Sequence, residues 1–160
     1  MAREYFVLED MSIREAAKPL ISVAMHPSGY YMAASFIDKI RVHHILNDEF
    51  KHYKNIDIRY CKLMKFSQGG HLFACINEDK ILIYNAYTLI KLRAIQLGQA
   101  GKFMTQIIFH EKDKAITVSG QHNYIGRWDL PSYKKVYESK FEIVEIKSED
   151  DPNIVVETKH

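Results

Sequence analysis

The sequence predicts an all-β chain built as a segment of a β-propeller. Three observations support this prediction: the composition favours strands, one pattern of strands occurs three times, and its spacing matches a propeller blade. The 160 residues include ten tyrosines and eight phenylalanines against seven glycines and four prolines, which is typical of strands joined by short turns. This length allows one core of moderate size, or a piece of something larger.

The repeated pattern is an apolar strand, a polar turn, a second apolar strand, another polar turn and a third strand that ends on a large ring. It occurs at 21–43, 63–84 and 106–128. The last apolar residues before the first turn are Met25, Phe66 and Phe109, which are 41 and 43 residues apart. Periods of about 40 to 45 residues belong to four-stranded propeller blades. We therefore expect these three side chains to occupy alike surroundings.

Turn-forming residues separate the strands of each repeat. The first turns contain Gly29, Gly70 and Asp113, and the second turns contain Asp38, Asp79 and His122. Gly and Asp are residues with which a short hairpin reverses. A fourth strand can be placed after each ring, at 49–54, 89–94 and 133–138, and it is more polar, as an outer edge strand should be.

These elements predict one propeller segment of three full blades and two half-blades over 1–160. The full blades are expected at 19–58, 59–99 and 100–138, and the partial blades at 4–18 and 139–158. The half-blades could complete one another and close a four-bladed ring, since propellers have roughly 4 to 8 blades. A portion of a larger propeller is favoured over this small ring.

The end of the third repeat resembles a known signature. Trp128 and Asp129, preceded by Ser119-Gly120 and by Ile125-x-Arg127, look like the closing dipeptide of a WD repeat. The runs HPSGYYMAASFIDKIRVHHIL at 26–46, KFSQGGHLFACIN at 65–77 and ILIYNAYT at 81–88 are similar to those of the WD-repeat cilia- and flagella-associated proteins of the type designated fifty-seven.

The resemblance implies a non-catalytic scaffold of the ciliary or flagellar axoneme, a cytoplasmic and cytoskeletal location. It further implies a role in docking or regulating inner-arm dyneins, in long parent proteins that combine propellers with coiled coil. A generic WD-repeat adaptor outside cilia is the first alternative. A small metal-dependent enzyme that uses the histidines is an alternative of another class.

The sequence departs from the usual WD repeat in its polar network. Gly98-Gln99 stands where a Gly-His is common, and His122 replaces the turn aspartate of the third repeat. Because buried polar groups need partners, we expect Asp38 and Asp79 to bond to backbone N–H groups of their own turns. Structural roles are predicted for Trp128, Asp129, Asp38, Asp79, Gly29 and Gly70.

The residues themselves disfavour catalysis, a metal site, and binding to nucleic acid or membrane. The formal net charge of +2 lacks the excess of Lys and Arg that phosphate binding requires, so no nucleic acid is expected. No apolar stretch approaches the roughly 20 residues of a membrane helix, so no membrane is expected. The eight histidines and the serines and cysteines form no spacing typical of a metal site or a nucleophile. We expect no cofactor, no metal and no catalytic residue.

A surface remains as the candidate site. In a propeller, the loop that enters each first strand and the turn between the second and third strands lie on the same rim. Arg and Tyr are enriched at interfaces, and a basic rim would suit an acidic protein such as tubulin or an inner-arm dynein-associated chain. The predicted partner-binding residues on this rim are Lys39, Arg59, Tyr60, Lys80, Lys102 and His122, with Lys18 beside them.

Overall fold

A computed structural model describes residues 18–144 and 155–159 of the chain, and these residues are mostly in antiparallel strands. The all-β prediction is confirmed. Two short 3-10 segments occur among the described residues, at Gly98–Phe103 and Glu111–Asp113. The predicted strands before residue 18 lie outside the described residues.

The strands form three sheets in chain order, each with four neighbouring antiparallel strands. Sheet one contains β1 (Leu20–Met25), β2 (Tyr31–Phe36), β3 (Ile40–Leu46) and β4 (Glu49–Ile56). Sheet two contains β5 (Met64–Phe66), β6 (Leu72–Asn77), β7 (Lys80–Asn85) and β8 (Lys91–Gln96). Sheet three contains β9 (Met104–Phe109), β10 (Ala115–Gly120), β11 (Ile125–Asp129) and β12 (Lys135–Val144), and a fifth strand, β13 (Val155–Lys159), follows β12.

The last long strand differs from the sequence prediction. A fourth strand was expected to end at 138 and a separate partial blade to begin at 139, whereas β12 runs unbroken from Lys135 to Val144. Its first half pairs with β11 and its second half with β13. The residues at this junction are Ser139 and Lys140. Neither is one of the residue types Gly, Pro, Asn or Asp that favour a tight turn, so the backbone stays extended there.

Two apolar seams hold the sheets together. The first lies between sheets one and two and includes Val42 and Phe73; the second lies between sheets two and three and includes Ile83, Ile116 and Trp128. Successive side chains of a strand point to opposite faces. β6 therefore supplies alternate residues to both seams, which explains why it is apolar almost throughout.

The three anchor residues do not share surroundings, contrary to the sequence prediction. Phe66 lies in the first seam and Phe109 in the second, and both are buried. Met25 is 53% exposed, while its neighbour Ala24 lies in the first seam. Alternation therefore turns Met25 away from sheet two. Each phenylalanine faces the preceding sheet, and sheet one is the first sheet that the structure describes.

Polar contacts join the first turns of neighbouring sheets. The buried carboxylate of Asp113, in sheet three, accepts hydrogen bonds from the backbone N–H groups of Gln68 (2.9 Å) and Gly69 (2.7 Å), in the turn of sheet two. On the other side, His26 of sheet one donates from Nε2 to the carbonyl oxygen of Gly70 at 2.7 Å. One turn of sheet two is thus held from both sides.

Candidate functional site

The predicted rim is formed by the loops that join the sheets and by the turns between the second and third strands. We call it the linker rim: loops 57–63 and 97–103, with turns 37–39, 77–80 and 120–124. Backbone bonds fix the loops to the turns. Ile76 N–H donates to the Leu63 carbonyl at 3.0 Å, and Gln121 N–H donates to the Phe103 carbonyl at 2.9 Å. The backbone of each loop is therefore fixed to the neighbouring sheet.

A first cleft in the linker rim lies between sheets one and two. It has a volume of about 530 Å³ and is lined by Arg59, Tyr60, Asn77 and Glu78 among others. Tyr60 is 53% exposed, its φ is +50°, and its N–H donates to the Phe36 carbonyl at 3.2 Å. The Lys62 ammonium lies 5.2 Å from the centre of the Tyr60 ring, which is a cation–π geometry.

A second cleft lies in the corresponding place between sheets two and three. It has a volume of about 360 Å³, and Gln99, Phe103, His122 and Tyr124 line it. The rings of Phe103 and His122 meet edge to face, with centres 5.3 Å apart. Two of the predicted rim residues thus border the first cleft, and one borders the second.

The remaining predicted rim residues lie on separate turns and loops. Lys39 stands beside Asp38 of sheet one, with 3.8 Å between Nζ and Oδ2. Lys80 begins β7, opposite Gln96, and Lys102 belongs to the 3-10 segment Gly98–Phe103. These three lysines are spread along the linker rim, in a turn of sheet one, at the start of β7 and in the loop before sheet three, and they do not converge on one point.

Asp38 and Asp79 of the linker rim have side-chain partners that the sequence did not predict. The expected bond from its own backbone N–H also acts on Asp38, whereas the partner of Asp79 lies outside its turn. Asp38 accepts a hydrogen bond from Lys18 Nζ at 2.7 Å, and Asp79 accepts one from the Gln96 side-chain amide. The pKa of Asp38 lies below its ordinary value, chiefly because Lys18 donates to it. With Glu78 in the first cleft, the rim is mixed in charge and not simply basic.

The structural residues at the end of the third repeat have distinct roles. Trp128 is 2% exposed and lies in the second seam, where a side chain at Gly126 would overlap its ring. Asp129 accepts hydrogen bonds from the Ser132 hydroxyl (2.6 Å) and N–H (3.0 Å). These bonds hold the pKa of Asp129 below its ordinary value. The tryptophan fills the seam and the aspartate fixes the next turn.

Sequence reasoning missed the corresponding residue of the second repeat, Asn85. Its side-chain oxygen accepts hydrogen bonds from the N–H groups of Tyr87 (2.9 Å) and Thr88 (3.0 Å), just as Asp129 binds Ser132. Tyr84-Asn85 occupies the register of Trp128-Asp129, since Tyr84 pairs with Phe73 and Trp128 with Ile116. Aligning the repeats on their rings could have revealed this.

The residues considered as metal ligands or nucleophiles are arranged as parts of the folded framework. Within 18–144 and 155–159, no three His, Cys, Asp or Glu side chains lie close enough to hold a metal ion. Ser67 is fully buried and its hydroxyl accepts from Leu72 N–H at 3.0 Å. Cys61 and Cys75 are buried in the first seam. The pKa of the Cys75 thiol is raised, chiefly by a hydrogen bond with Cys61 and next by burial. No helix of the described part is long and apolar enough to cross a membrane.

Comparison with protein families and curated sequences gives related chains. No family model matches. The chain is 30% identical over 122 residues to cilia- and flagella-associated protein 57 of Mus musculus, which covers 76% of this chain and 10% of the mouse protein. It is 31% identical over 115 residues to cilia- and flagella-associated protein 57 A of Tetrahymena thermophila, covering 72% of this chain and 9% of that protein. The chain thus spans about a tenth of these relatives.

Comparison with solved structures places the fold. The WD40 repeats of RRP9 superpose with a TM-score of 0.66 at 13% identity, over 76% of this chain and 38% of that one. Hsv2 of Kluyveromyces lactis superposes with a TM-score of 0.58 at 11% identity, over 78% of this chain and 38% of that one. At these identities the likeness concerns the fold alone. The four-stranded antiparallel sheets of this chain are thus of the kind found in WD40 propellers.

Proposed function

This chain is a WD-repeat β-propeller segment homologous to part of cilia- and flagella-associated protein 57, and from this premise we propose that it is a non-catalytic scaffold for protein interactions in cilia or flagella. The single observation that carries the proposal is the sequence match to the mouse and Tetrahymena proteins over about three quarters of the chain. The names of those relatives associate them with cilia and flagella, which supports the same location here.

The linker rim is the surface that we assign to partner binding. Its two clefts recur one blade apart, and their loops are fixed by backbone hydrogen bonds to the neighbouring turns. A rigid surface loses little conformational entropy when it binds. Arg59 and Tyr60 offer a guanidinium and a half-exposed ring at the first cleft, which are groups that interfaces favour.

We assign the partner to the axoneme, as tubulin or an inner-arm dynein-associated protein, so that the scaffold docks or regulates inner-arm dynein. The mixed charge of the linker rim suits a protein surface that presents both signs. Arg59 and Lys102 would face its carboxylates, and Glu78 would face its lysines.

The test is the location of the protein in ciliated or flagellated cells that express it. An epitope tag at the native locus should appear along the axoneme and stay with the detergent-insoluble axonemal fraction. Purified axonemes from a strain without the protein should lose inner-arm density in cryo-electron microscopy. A tagged protein confined to the cell body would refute the ciliary role, whereas axonemal protein with intact inner arms would refute only the dynein role.

A further inference from the structure

A group of aromatic and apolar side chains, some of them exposed, lies on the rim opposite to the linker rim, where sheets one and two meet. Tyr87 and Ile90, in the turn between β7 and β8, are 54% and 64% exposed. Tyr53 of β4 reaches across from sheet one, and its hydroxyl donates to the Tyr87 carbonyl at 2.8 Å. We call Tyr53, Tyr87, Ile90, Lys51 and Lys54 the tyrosine patch.

The turn that carries Tyr87 and Ile90 is fixed by hydrogen bonds. Asn85 Oδ1 accepts from the N–H groups of Tyr87 and Thr88, and Ile90 N–H donates to the Thr88 hydroxyl at 3.3 Å. Lys54 of the neighbouring sheet donates to the Thr88 carbonyl at 3.3 Å. Hydrogen bonds from both sheets therefore fix a turn whose large apolar side chains remain in solvent.

The rings of Tyr53 and Tyr87 also contact buried rings of sheet one. The Tyr87 ring lies 5.7 Å from His26 and 6.4 Å from Tyr31, and the Tyr53 ring lies 6.1 Å from Tyr31. Tyr31 is itself buried, at 4% exposure. Aromatic side chains that are fixed before binding lose little entropy on contact, and such tyrosines act as anchors in protein recognition.

The charged residues of the tyrosine patch are all lysines, and the nearest carboxylates ahead of them along the chain are Asp48 and Glu49, before and at the start of β4. Its segments, 51–54 and 85–91, contain Lys51, Lys54 and Lys91 and no Asp or Glu. The Lys54 ammonium lies 5.4 Å from the centre of the Tyr53 ring. The linker rim, by contrast, mixes lysines with Asp38, Glu78 and Asp79. An anionic ligand is therefore favoured at the patch.

We propose that the tyrosine patch is a second interaction surface, which binds an acidic protein segment through one apolar or aromatic anchor residue. The anchor packs between the exposed faces of Tyr87 and Ile90, and flanking carboxylates pair with Lys51 and Lys54. Such a segment adds contacts without displacing any hydrogen bond that holds the turn. This surface is separate from the linker rim, so either assignment can fail without the other.

The experiment uses the 160-residue chain and a fluorescein-labelled peptide, acetyl-EEDFLDEE-amide, with binding followed by fluorescence anisotropy. We expect saturable binding that weakens at higher salt. Tyr87→Ser should weaken it about tenfold or more, as loss of a central anchor does. Lys51→Glu should also weaken it, because it reverses a charge that faces the carboxylates of the peptide. Replacing Phe-Leu of the peptide by Ser-Ser should weaken it comparably.

The matched control is Tyr137→Ser, because Tyr137 is 44% exposed on β12 of sheet three and belongs neither to the tyrosine patch nor to the linker rim. It should leave peptide binding unchanged. The melting temperature of each variant shows whether it is folded, and Lys51→Glu, at an exposed position, still tests the proposal if Tyr87→Ser unfolds. Absence of binding, or binding that neither variant weakens, would overturn the proposal. Tighter binding of an oligothymidylate than of the peptide would also overturn it, in favour of nucleic acid.

Discussion

At the scale of single residues, this chain uses short polar side chains to fix turns and large rings to fill seams. Asp129 and Asn85 stand in the same register of their sheets and accept hydrogen bonds from the N–H groups two or three residues ahead. Trp128 and Tyr84, one residue earlier, are buried. The closing dipeptide of a repeat thus has one residue for packing and one for the turn.

Replacing Ser132 with alanine tests the turn. Ser132 donates from its hydroxyl to Asp129 Oδ2 at 2.6 Å, and this bond is the main cause of the lowered pKa of Asp129. In Ser132→Ala the pKa of Asp129 should rise toward its ordinary value, while that of Asp38, held by Lys18, should not change. Carboxyl carbon shifts followed by NMR during an acid titration measure both. An unmoved Asp129 would contradict the assigned bond.

Replacing Trp128 with alanine tests the seam. The side chain is 2% exposed, and truncating a buried tryptophan costs about 3 to 5 kcal/mol of unfolding free energy. Urea unfolding followed by circular dichroism measures the loss. Val136→Ala, on the same sheet at a position 62% exposed, should change stability by less than about 0.5 kcal/mol. A soluble Trp128→Ala chain with unchanged unfolding would refute the packing role.

At the scale of elements, the first turn of each sheet decides how the sheets meet. Gly29 and Gly70 occupy the same place in sheets one and two, with φ of +77° and +79°. A Cβ at Gly29 would meet open space, whereas a Cβ at Gly70 would overlap the His26 ring. The two glycines therefore share a backbone requirement, and only Gly70 also has a steric one.

Gly29→Ala and Gly70→Ala should consequently differ in cost. A left-handed conformation costs an alanine about 1 to 2 kcal/mol, and this should be the whole effect at Gly29. At Gly70 the buried His26 ring must also move, with loss of its hydrogen bond to the Gly70 carbonyl, which adds about 1 kcal/mol or more. Urea midpoints of the two variants give the comparison, and equal destabilisation would contradict the close contact.

Much of the element order follows from the sequence, because apolar runs bounded by turn residues mark each sheet. The strands at 31–36 and 72–77 could be predicted since both their faces are apolar. The surroundings of Met25 could not, because the repeat pattern does not say against which sheet each copy packs within the described residues. Nor could the unbroken β12 strand, since a missing turn signal is weaker than a present one.

The candidate site was less accessible to sequence reasoning. Placement of Arg59, Tyr60 and His122 beside clefts agrees with their predicted loops, but their function stays a prediction. The side-chain partners of Asp38 and Asp79 could not be predicted, because Lys18 and Gln96 reach them from positions 20 and 17 residues away. The tyrosine patch depends on two sheets, so neither repeat reveals it alone.

At the scale of the whole molecule, three sheets are joined into one body by two seams and by polar contacts at both rims. Asp113 and His26 hold the turn of sheet two on one rim. On the other rim, the loop at 57–63 is bound to sheet one through Cys61 N–H and Ser35 Oγ (3.1 Å) and to sheet two through Leu63 and Ile76. Loops so fixed keep their spacing when a partner binds.

Charge reversal on the linker rim tests this scaffold role. The double variant Arg59→Glu, Lys102→Glu should weaken capture of axonemal protein by the immobilised chain, because both exposed side chains lie where a partner would dock. Its melting temperature should stay unchanged, since exposed charges contribute little to stability. Lys114→Glu, exposed on the other rim, serves as control. Equal capture by both variants would count against the linker rim.

The position of the single indole has a practical consequence. Trp128 is the chain's one tryptophan and lies in the second seam. Its fluorescence emission therefore reports on that seam and not on the first. A red shift during gradual unfolding would mark water entering between sheets two and three. Any lag between this optical signal and the loss of strand content would show the order in which the blades separate.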